Sequence, residues 1–369
     1  MPNSLDLNRA SGSQIRPYKM KEAFETLGYE VDFIEGYGSE RKKAIGAIKD
    51  NILSGVRYDF LYSESSTMPT LLTEKNHLPL YPNLDFGFFS FCKKHGIPIG
   101  LFYRDFHWKF PFYGDSVKGI KKMAALTAYR YDLIRYRQLL DRFFLPSDEA
   151  GDYFKGTELE KIKVSLLPGA DPDEKELAAK HSFYAERSKE ENKRLKLFYV
   201  GGLGGHYQIE ELMSSVNKVP GTELVVCCRE AEWQKNSGTL SKYLSDRVRV
   251  VHEKGEGLIK FFRESDVCLA CFGHSEYMDM AMPIKVFEYL SYTIPIITTM
   301  DTAAGRFVSR NDIGWDVEYC EDSIISLLEE LAGDYSLIVE KHENARRALE
   351  DNTWVSRAKT VACELSVKR

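Results

Sequence analysis

The sequence is short of several things, and each shortage removes a class of protein. Cysteine occurs seven times in 369 residues, as Cys92, Cys227, Cys228, Cys268, Cys271, Cys320 and Cys363. The number is odd and most of them sit in apolar or amphipathic runs, so buried reduced thiols are expected rather than a disulfide framework. Cys268 and Cys271 look like a paired motif, but "DVCLACF" reads as a strand, where positions three apart face opposite sides. Basic residues are not in excess: 50 Lys and Arg stand against 55 Asp and Glu, a net charge of −5. Wholesale binding of nucleic acid, which shows as a basic surplus, is therefore not expected. No run approaches the ~20 apolar residues needed to cross a bilayer. The opening, "MPNSLDLNRASGSQ", lacks the basic-then-apolar pattern of a secretion signal. These absences imply a cytoplasmic globular protein, and the length implies two domains of roughly 150–200 residues.

What is present is an alternation of short apolar runs with longer helix-period segments. Strands are expected at "VDFI" (31–34), "YDFLYSE" (58–64), "IPIGLFY" (97–103), "RFFLPS" (142–147) and "KVSLLP" (163–168). A second set follows at "LKLFYV" (195–200), "TELVVCC" (222–228), "VRVVH" (248–252), "DVCLACF" (266–272) and "IPIITT" (294–299). Helices are expected between them, for example over "RPYKMKEAFETLG" and over "SERKKAIGAIKDNILSG", which ends on a C-capping Gly55. Continuous apolar strands point to parallel sheets covered on both faces, hence an α/β protein of two Rossmann-like, doubly wound domains facing across a cleft. The expected division is 1–175, 190–345, and a C-terminal helix over 346–369 that returns to the first domain. The charged stretch 171–194 has little to bury and reads as the boundary. At the start, a loop and helix follow almost nothing that serves as a first strand. That strand is either missing or very short, or lies upstream.

Two stretches carry candidate chemistry. In "LKLFYVGGLGGHYQIEELMSSV" a buried strand runs into Gly201, Gly202, Gly204 and Gly205 and then into an amphipathic helix. Such glycines let backbone approach a ligand, and a helix start offers unpaired N–H groups to an anion. The dinucleotide fingerprint is not met, because the sixth position counted from Gly202 is Tyr207. In "MPIKVFEYLSY", Pro283 marks a first helical turn that sets Lys285 and Glu288 on one face. A lysine there opposes the helix dipole, which makes sense where a diphosphate lies between the two. The carboxylate one turn on can accept two hydrogen bonds from a ribose diol. A plain surface ion pair, worth only ~0.3–0.5 kcal/mol, is the rival reading of the same residues.

"MPIKVFEYLSYTIPIIT" resembles the helix of GT-B glycosyltransferases that reads P-x-K-x-x-E-Y/A-L-x-x-G-x-P-V-I. In order along the chain, "SGSQIRPYKMKEAFETLGYEVDFI" is similar to that family's opening segment, "VSLLPGADPD" to its N-G-x-D segment, and "NARRALEDNTW" to its closing helix. The resemblance covers nearly the whole chain and is nearest to family-4-like enzymes of bacterial polysaccharide assembly. It implies the GT-B fold and a donor site at Gly12, Ser13, Arg16, Gly202, Gly204, Gly205, Arg229, Lys285 and Glu288, with Glu288 on the donor ribose. There are departures. Ala281 stands where the family's first acid is expected, leaving Glu276 or Asp279 nearby. The usual Arg and Lys clamp after the second domain's first strand is absent, which leaves its charge to Lys285 and Arg229.

In the first domain, "IPIGLFYRDFHWKFPFYGD" ends a strand in Arg104, Asp105 and His107. By position Arg104 falls on the family's His and Asp105 on its Asp, so His107 is the second candidate for the imidazole; Asp105 and His107 are the expected catalytic pair. A half-buried ring packed beside Phe106 and Trp108 is the alternative for His107. Residues 109–142 carry Lys109, Lys118, Lys121, Lys122, Arg130, Arg135, Arg137 and Arg142 against three aspartates, a local +5. Interleaved with Phe110, Phe112, Tyr113 and Tyr129, this run reads as a solvated helix or as an anionic-membrane or acceptor face at Lys118, Lys121 and Lys122. The resemblance implies a retaining transfer without metal or cofactor. The co-substrate is a nucleotide-diphosphate sugar, UDP being the expected nucleotide, and the acceptor is a saccharide or lipid-linked. A nucleotide-sugar 2-epimerase and a non-catalytic sugar-binding subunit share the architecture and remain as rivals.

Overall fold

A computed structural model of the protein describes residues 12–366. It divides into two units, the first ending at Leu167 and resuming at Trp354, the second running from Pro168 to Thr353.

The first unit holds α1 (Gly12–Thr26), α2 (Gly38–Leu53), β1 (Leu61–Glu64), α3 (Leu84–Lys94), β2 (Ile99–Phe102), α4 (Tyr113–Ser116), α5 (Gly119–Leu139), β3 (Arg142–Leu145) and β4 (Lys163–Ser165). The four strands are parallel in the order β1-β2-β3-β4. β2 is buried on both faces, as strands covered by helices on two sides must be. The expected strand at 31–34 is not among the strands of the described residues, whose first sheet does not include Val31–Ile34. Among the described residues nothing pairs with the outer edge of β1, and a cavity of 730 Å³ lies between that edge and the 31–34 run, lined by Met20, Phe24, Ile45, Ile48, Phe60 and Phe86. The question of a first strand falls on residues 1–11, outside those described.

The second unit holds α6 (Glu174–Arg187), β5 (Leu195–Val200), α7 (Glu210–Lys218), β6 (Thr222–Cys227), α8 (Glu230–Leu240), β7 (Val248–Val251), α9 (Ile259–Glu264), β8 (Val267–Ala270), α10 (Glu276–Met280), α11 (Ile284–Ser291), β9 (Ile296–Thr299), α12 (Ala303–Asn311), β10 (Gly314–Val317), α13 (Glu321–Gly333) and α14 (Ser336–Glu350). Its six strands are parallel in the order β10-β9-β8-β5-β6-β7. The chain therefore builds outward from β5 in one direction to β7, then returns and builds from β8 to β10. β10 was not foreseen from sequence. It depends on Gly314, where a Cβ would fall 1.9 Å from the Ile296 carbonyl oxygen of β9.

The charged stretch 171–194 is a helix of the second unit rather than a connector. The Lys180 side chain is fully buried, and its ammonium donates to the carbonyls of Phe262 (2.8 Å), Arg263 (3.1 Å) and Ser265 at the end of α9. A cation on a helix C-terminus satisfies carbonyls that have no intrahelical donor. Arg187 pairs with the buried Asp266 at 2.8 Å. Finally α15 (Trp354–Leu365) belongs to the first unit, where it packs on α1 and β2 and Glu364 pairs with Arg142 at 2.6 Å. All seven cysteines are free, five of them buried, and burial pushes the Cys271 thiol up to about 12. Among the described residues no helix is long and apolar enough to cross a membrane.

Candidate functional site

In an open parallel sheet, ligands settle at the carboxyl ends of the strands where the strand order reverses. In the second unit that reversal lies between β5 and β8, the pair from which the sheet grows both ways. The loops that leave these two strands are the glycine loop, 201–209, and the 271–283 segment leading into α11.

The glycine loop is a tight hairpin. Gly204 and Tyr207 exchange two backbone hydrogen bonds of 3.0 and 3.1 Å, and Gly204 and Gly205 both take positive φ, which favours glycine. The Tyr199 hydroxyl anchors the loop by donating to the Gly202 carbonyl at 2.7 Å. At Gly202 an added Cβ would meet the Tyr207 ring at 2.8 Å. The two loops touch: His206 packs on Tyr277 and Tyr207 on Phe272, with ring centroids 5.5 and 5.7 Å apart. The glycines thus do make a turn, and the turn lies against the second loop. The helix that follows, α7, carries Glu210 and Glu211 in its first turn, and these acids already complement its N-terminus.

The start of α11 differs. Pro283 is its N-cap, no acid lies in its first turn, and Lys285 sits there. The buried Tyr289 fixes the helix beneath this corner of the sheet: its hydroxyl donates to the Leu269 carbonyl of β8 at 3.1 Å and accepts from the Val200 amide of β5 at 3.3 Å. Lys285 Nζ lies 2.6 Å from Glu288 Oε2, both side chains about one-third exposed. The lysine ammonium also reaches the field of Cys227, the last residue of β6. Burial raises that thiol above its ordinary pKa, and its hydrogen bond with the Glu253 backbone and then the Lys285 charge draw it back down. Lys285 and Glu288 are therefore together, near the carboxyl ends of β5, β6 and β8. Arg229 is not with them in the same sense: it caps α8 with its side chain two-thirds exposed and paired to Glu232 at 2.7 Å.

Sequence reasoning named Asp279 but missed its neighbours: His274 lies 2.9 Å from it in the segment after β8, beside Ala281. The Tyr319 hydroxyl donates to the Gln208 carbonyl at 2.6 Å. Only the density of His and Tyr in "GGHYQ" and "GHSEYMD" hinted at them.

In the first unit the carboxyl ends of β1 and β2 lie side by side and carry a buried charge network. Glu64 is 3% exposed and holds Arg104 at 2.8 Å and Arg16 at 3.4 Å. Tyr62 adds its hydroxyl to Glu64 at 2.9 Å. The Arg16 guanidinium lies 3.7 Å over the Phe102 ring and donates to the carbonyls of Leu166 and Leu167. Arg16 thus ties α1 to the end of β4 from inside the unit. Gly12 and Ser13 open α1, and the Ser13 side chain is not among those described. Arg104 also donates to the Ser65 carbonyl, 3.2 Å away. Glu64 was not foreseen; its only signal was an acid closing an apolar strand.

Asp105 and His107 follow on the same edge. Asp105 Oδ1 accepts the His107 amide at 2.9 Å, and Oδ2 lies 3.2 Å from His107 Nδ1 in an ion-pair approach that is not aligned as a hydrogen bond. The imidazole is about one-fifth exposed and packs edge-on to Tyr113. The aromatic interleaving of the basic run resolves differently from the surface stripe it suggested: Phe110, Tyr113 and Tyr129 are buried. Lys109 turns to the Tyr153 carbonyl, and Arg142 to Glu364. What stays on the surface is the start of α5, where Lys118 and Lys121 are exposed beside Ile120 and Met123, exposed to 86% and 70%. Lys122 is partly covered, its Nζ lying over Gly114.

With this geometry in hand, comparison gives the class. The chain has the GT-B glycosyltransferase fold. It superposes on the glycosyltransferase WaaG of lipopolysaccharide biosynthesis with a TM-score of 0.58 at 14% identity, covering 100% of this chain and 99% of that one. On Anabaena HepE, solved in complex with UDP and glucose, the TM-score is 0.62 at 11% identity, with 98% of each chain covered. On the sucrose-phosphate synthase of Thermosynechococcus elongatus it is 0.61 at 12% identity, covering 96% and 92%. More particularly, residues 233–362 match the family model of the glucosyltransferase 3-like C-terminal domain. No curated protein gives a significant match.

Proposed function

We propose that the protein is a glycosyltransferase that moves a sugar from a nucleotide-diphosphate donor, with UDP as the nucleotide, to a saccharide or lipid-linked acceptor. The observation that carries this reading is the conjunction at the strand-order reversal of the second unit. A glycine hairpin leaves β5 there, and α11 begins there with a lysine and no acid. The likeness to HepE, which was solved with UDP and glucose, supports the choice of nucleotide.

In this reading the donor diphosphate lies at the start of α11, against first-turn amides and the Lys285 ammonium. Binding inserts the diphosphate beside Lys285 and frees Glu288 to accept from the ribose diol. Bond cleavage builds negative charge on the departing nucleotide diphosphate, and the same groups stabilise it there. The anomeric carbon passes through an oxocarbenium-like state, and the leaving phosphate takes the acceptor hydroxyl's proton in a retaining transfer. Asp105 accepts the His107 backbone amide and sets its second oxygen beside the ring, and the imidazole orients a sugar or acceptor hydroxyl. Lys118 and Lys121, flanked by the apolar Ile120 and Met123, form a peripheral contact with anionic lipid, consistent with a lipid-linked acceptor.

The test is a thermal-shift screen with UDP, GDP, ADP and their sugars. UDP and a UDP-sugar are expected to raise the melting temperature. No shift with any of the nucleotides would overturn the proposal.

A further inference from the structure

Away from the sheet edges, α6 and α14 bring three lone-pair donors to one point. His342 is 1% exposed, and its Nδ1–H donates to the Thr293 carbonyl at 2.9 Å. That bond fixes the tautomer: Nε2 carries the lone pair, is buried, and has no hydrogen-bond partner. The next residue along α14, Glu343, folds its side chain back so that Oε1 lies 4.0 Å from that nitrogen. From α6, His181 Nδ1 lies 3.5 Å from the same oxygen. The three ligand atoms all lie within 4.8 Å of one another.

A cation already occupies part of this point. Arg346 Nη1 lies 3.1 and 3.3 Å from the two Glu343 oxygens and 3.4 Å from His181 Nδ1. A guanidinium only donates, so His181 presents a lone pair here as well. The chemistry of the cluster is thus two imidazole nitrogens and one carboxylate facing a positive charge. Tetrahedral coordination at about 2.0–2.1 Å sets ligand atoms about 3.3 Å apart. The 3.5 Å pair already approaches that spacing. His181 and Glu343 are about half exposed, and rotation of those side chains closes the remainder. The carbonyl bond on the far nitrogen of His342 is the outer-shell arrangement that orients a ligating histidine.

We propose that His181, His342 and Glu343 bind one borderline divalent transition cation, of the Zn²⁺ or Co²⁺ type, with water completing the tetrahedron and Arg346 displaced. The two histidines and the carboxylate suit such an ion better than Mg²⁺ or Ca²⁺, which prefer all-oxygen shells. The ion would clamp α6 to α14, the first and last helices of the second unit. The site is independent of the donor pocket and of the proposed activity.

The experiment titrates Co²⁺ into tag-free, chelator-treated full-length protein, reading the visible absorption of the bound ion. His181→Ala and Glu343→Gln are run in parallel, both at surface-accessible positions, with circular dichroism confirming that each variant is folded. One bound Co²⁺ per chain, weakened at least about tenfold in both variants, is expected. Absence of stoichiometric binding by the parent, or a smaller loss in either variant, overturns the proposal.

Discussion

At the scale of single residues, three charges separate structure from chemistry. Glu288 is about one-third exposed and paired with Lys285, which is how it would stand if it awaited a ribose. Glu288→Ala should raise donor KM about tenfold or more, the worth of a charge-assisted pair of hydrogen bonds, while leaving the melting temperature of the free protein near that of the parent. An unchanged KM would leave it a surface residue. Glu64 is the opposite case, buried between Arg16 and Arg104. Glu64→Gln leaves two guanidinium groups without their counter-charge and should cost about 3–5 kcal/mol in urea unfolding. Asp132 on α5 gives a pH signature. Burial raises its carboxyl to about 7 against the pull of the Thr70 amide, 2.7 Å from Oδ2. The folded chain therefore keeps a proton that the unfolded chain releases above about pH 4, so this group's contribution is full below that pH and falls as pH rises towards 7. Asp132→Asn should flatten the decline in stability between pH 4 and 7, seen in urea midpoints across that window; an unaltered profile would show that Asp132 does not set it.

At the scale of elements, β1 to β9 each formed where a short, mostly apolar run stood in the sequence, the edge strands β1, β4 and β7 as well as the central β2, β5 and β8. The failures have local causes. Residues 31–34 have strand composition but lie outside the four-stranded sheet of the described residues. β10 is short, with a half-exposed middle, and stands on the close approach of Gly314 to Ile296, which composition does not advertise. Gly314→Ala should lower stability by several kcal/mol through that backbone clash, measurable as a fall in the urea midpoint. The stretch 171–194 looked like a connector because its charges hid their partners. Lys180 was legible as a lysine, but the three carbonyls at the end of α9 come from 82 to 85 residues on. The site divides similarly. Lys285, Glu288 and the glycines were legible because the spacing of one helix and one turn is local. Glu64, and the contact of the glycine hairpin with the segment after β8, were not, because pairing across strands is set by the sheet order. On α5, Lys121→Glu with Lys122→Glu should reduce sedimentation with vesicles containing anionic lipid; full retention would remove lipid contact from the reading.

At the scale of the whole molecule, both sheets are parallel, both hold their candidate site residues near the carboxyl ends of their strands, and the C-terminal helix rejoins the first unit. That architecture followed from continuous apolar strands alternating with helices, whereas the family resemblance supplied the fold's name and the expected roles. The account rests on one placement, a nucleotide diphosphate beside the start of α11 in the second unit. The most direct test is an equilibrium titration of the full-length protein with UDP, repeated with Lys285→Ala. Saturable binding by the parent, weakened at least about tenfold by the substitution, is the predicted result; UDP binding of equal strength in both proteins, or none in the parent, would contradict it.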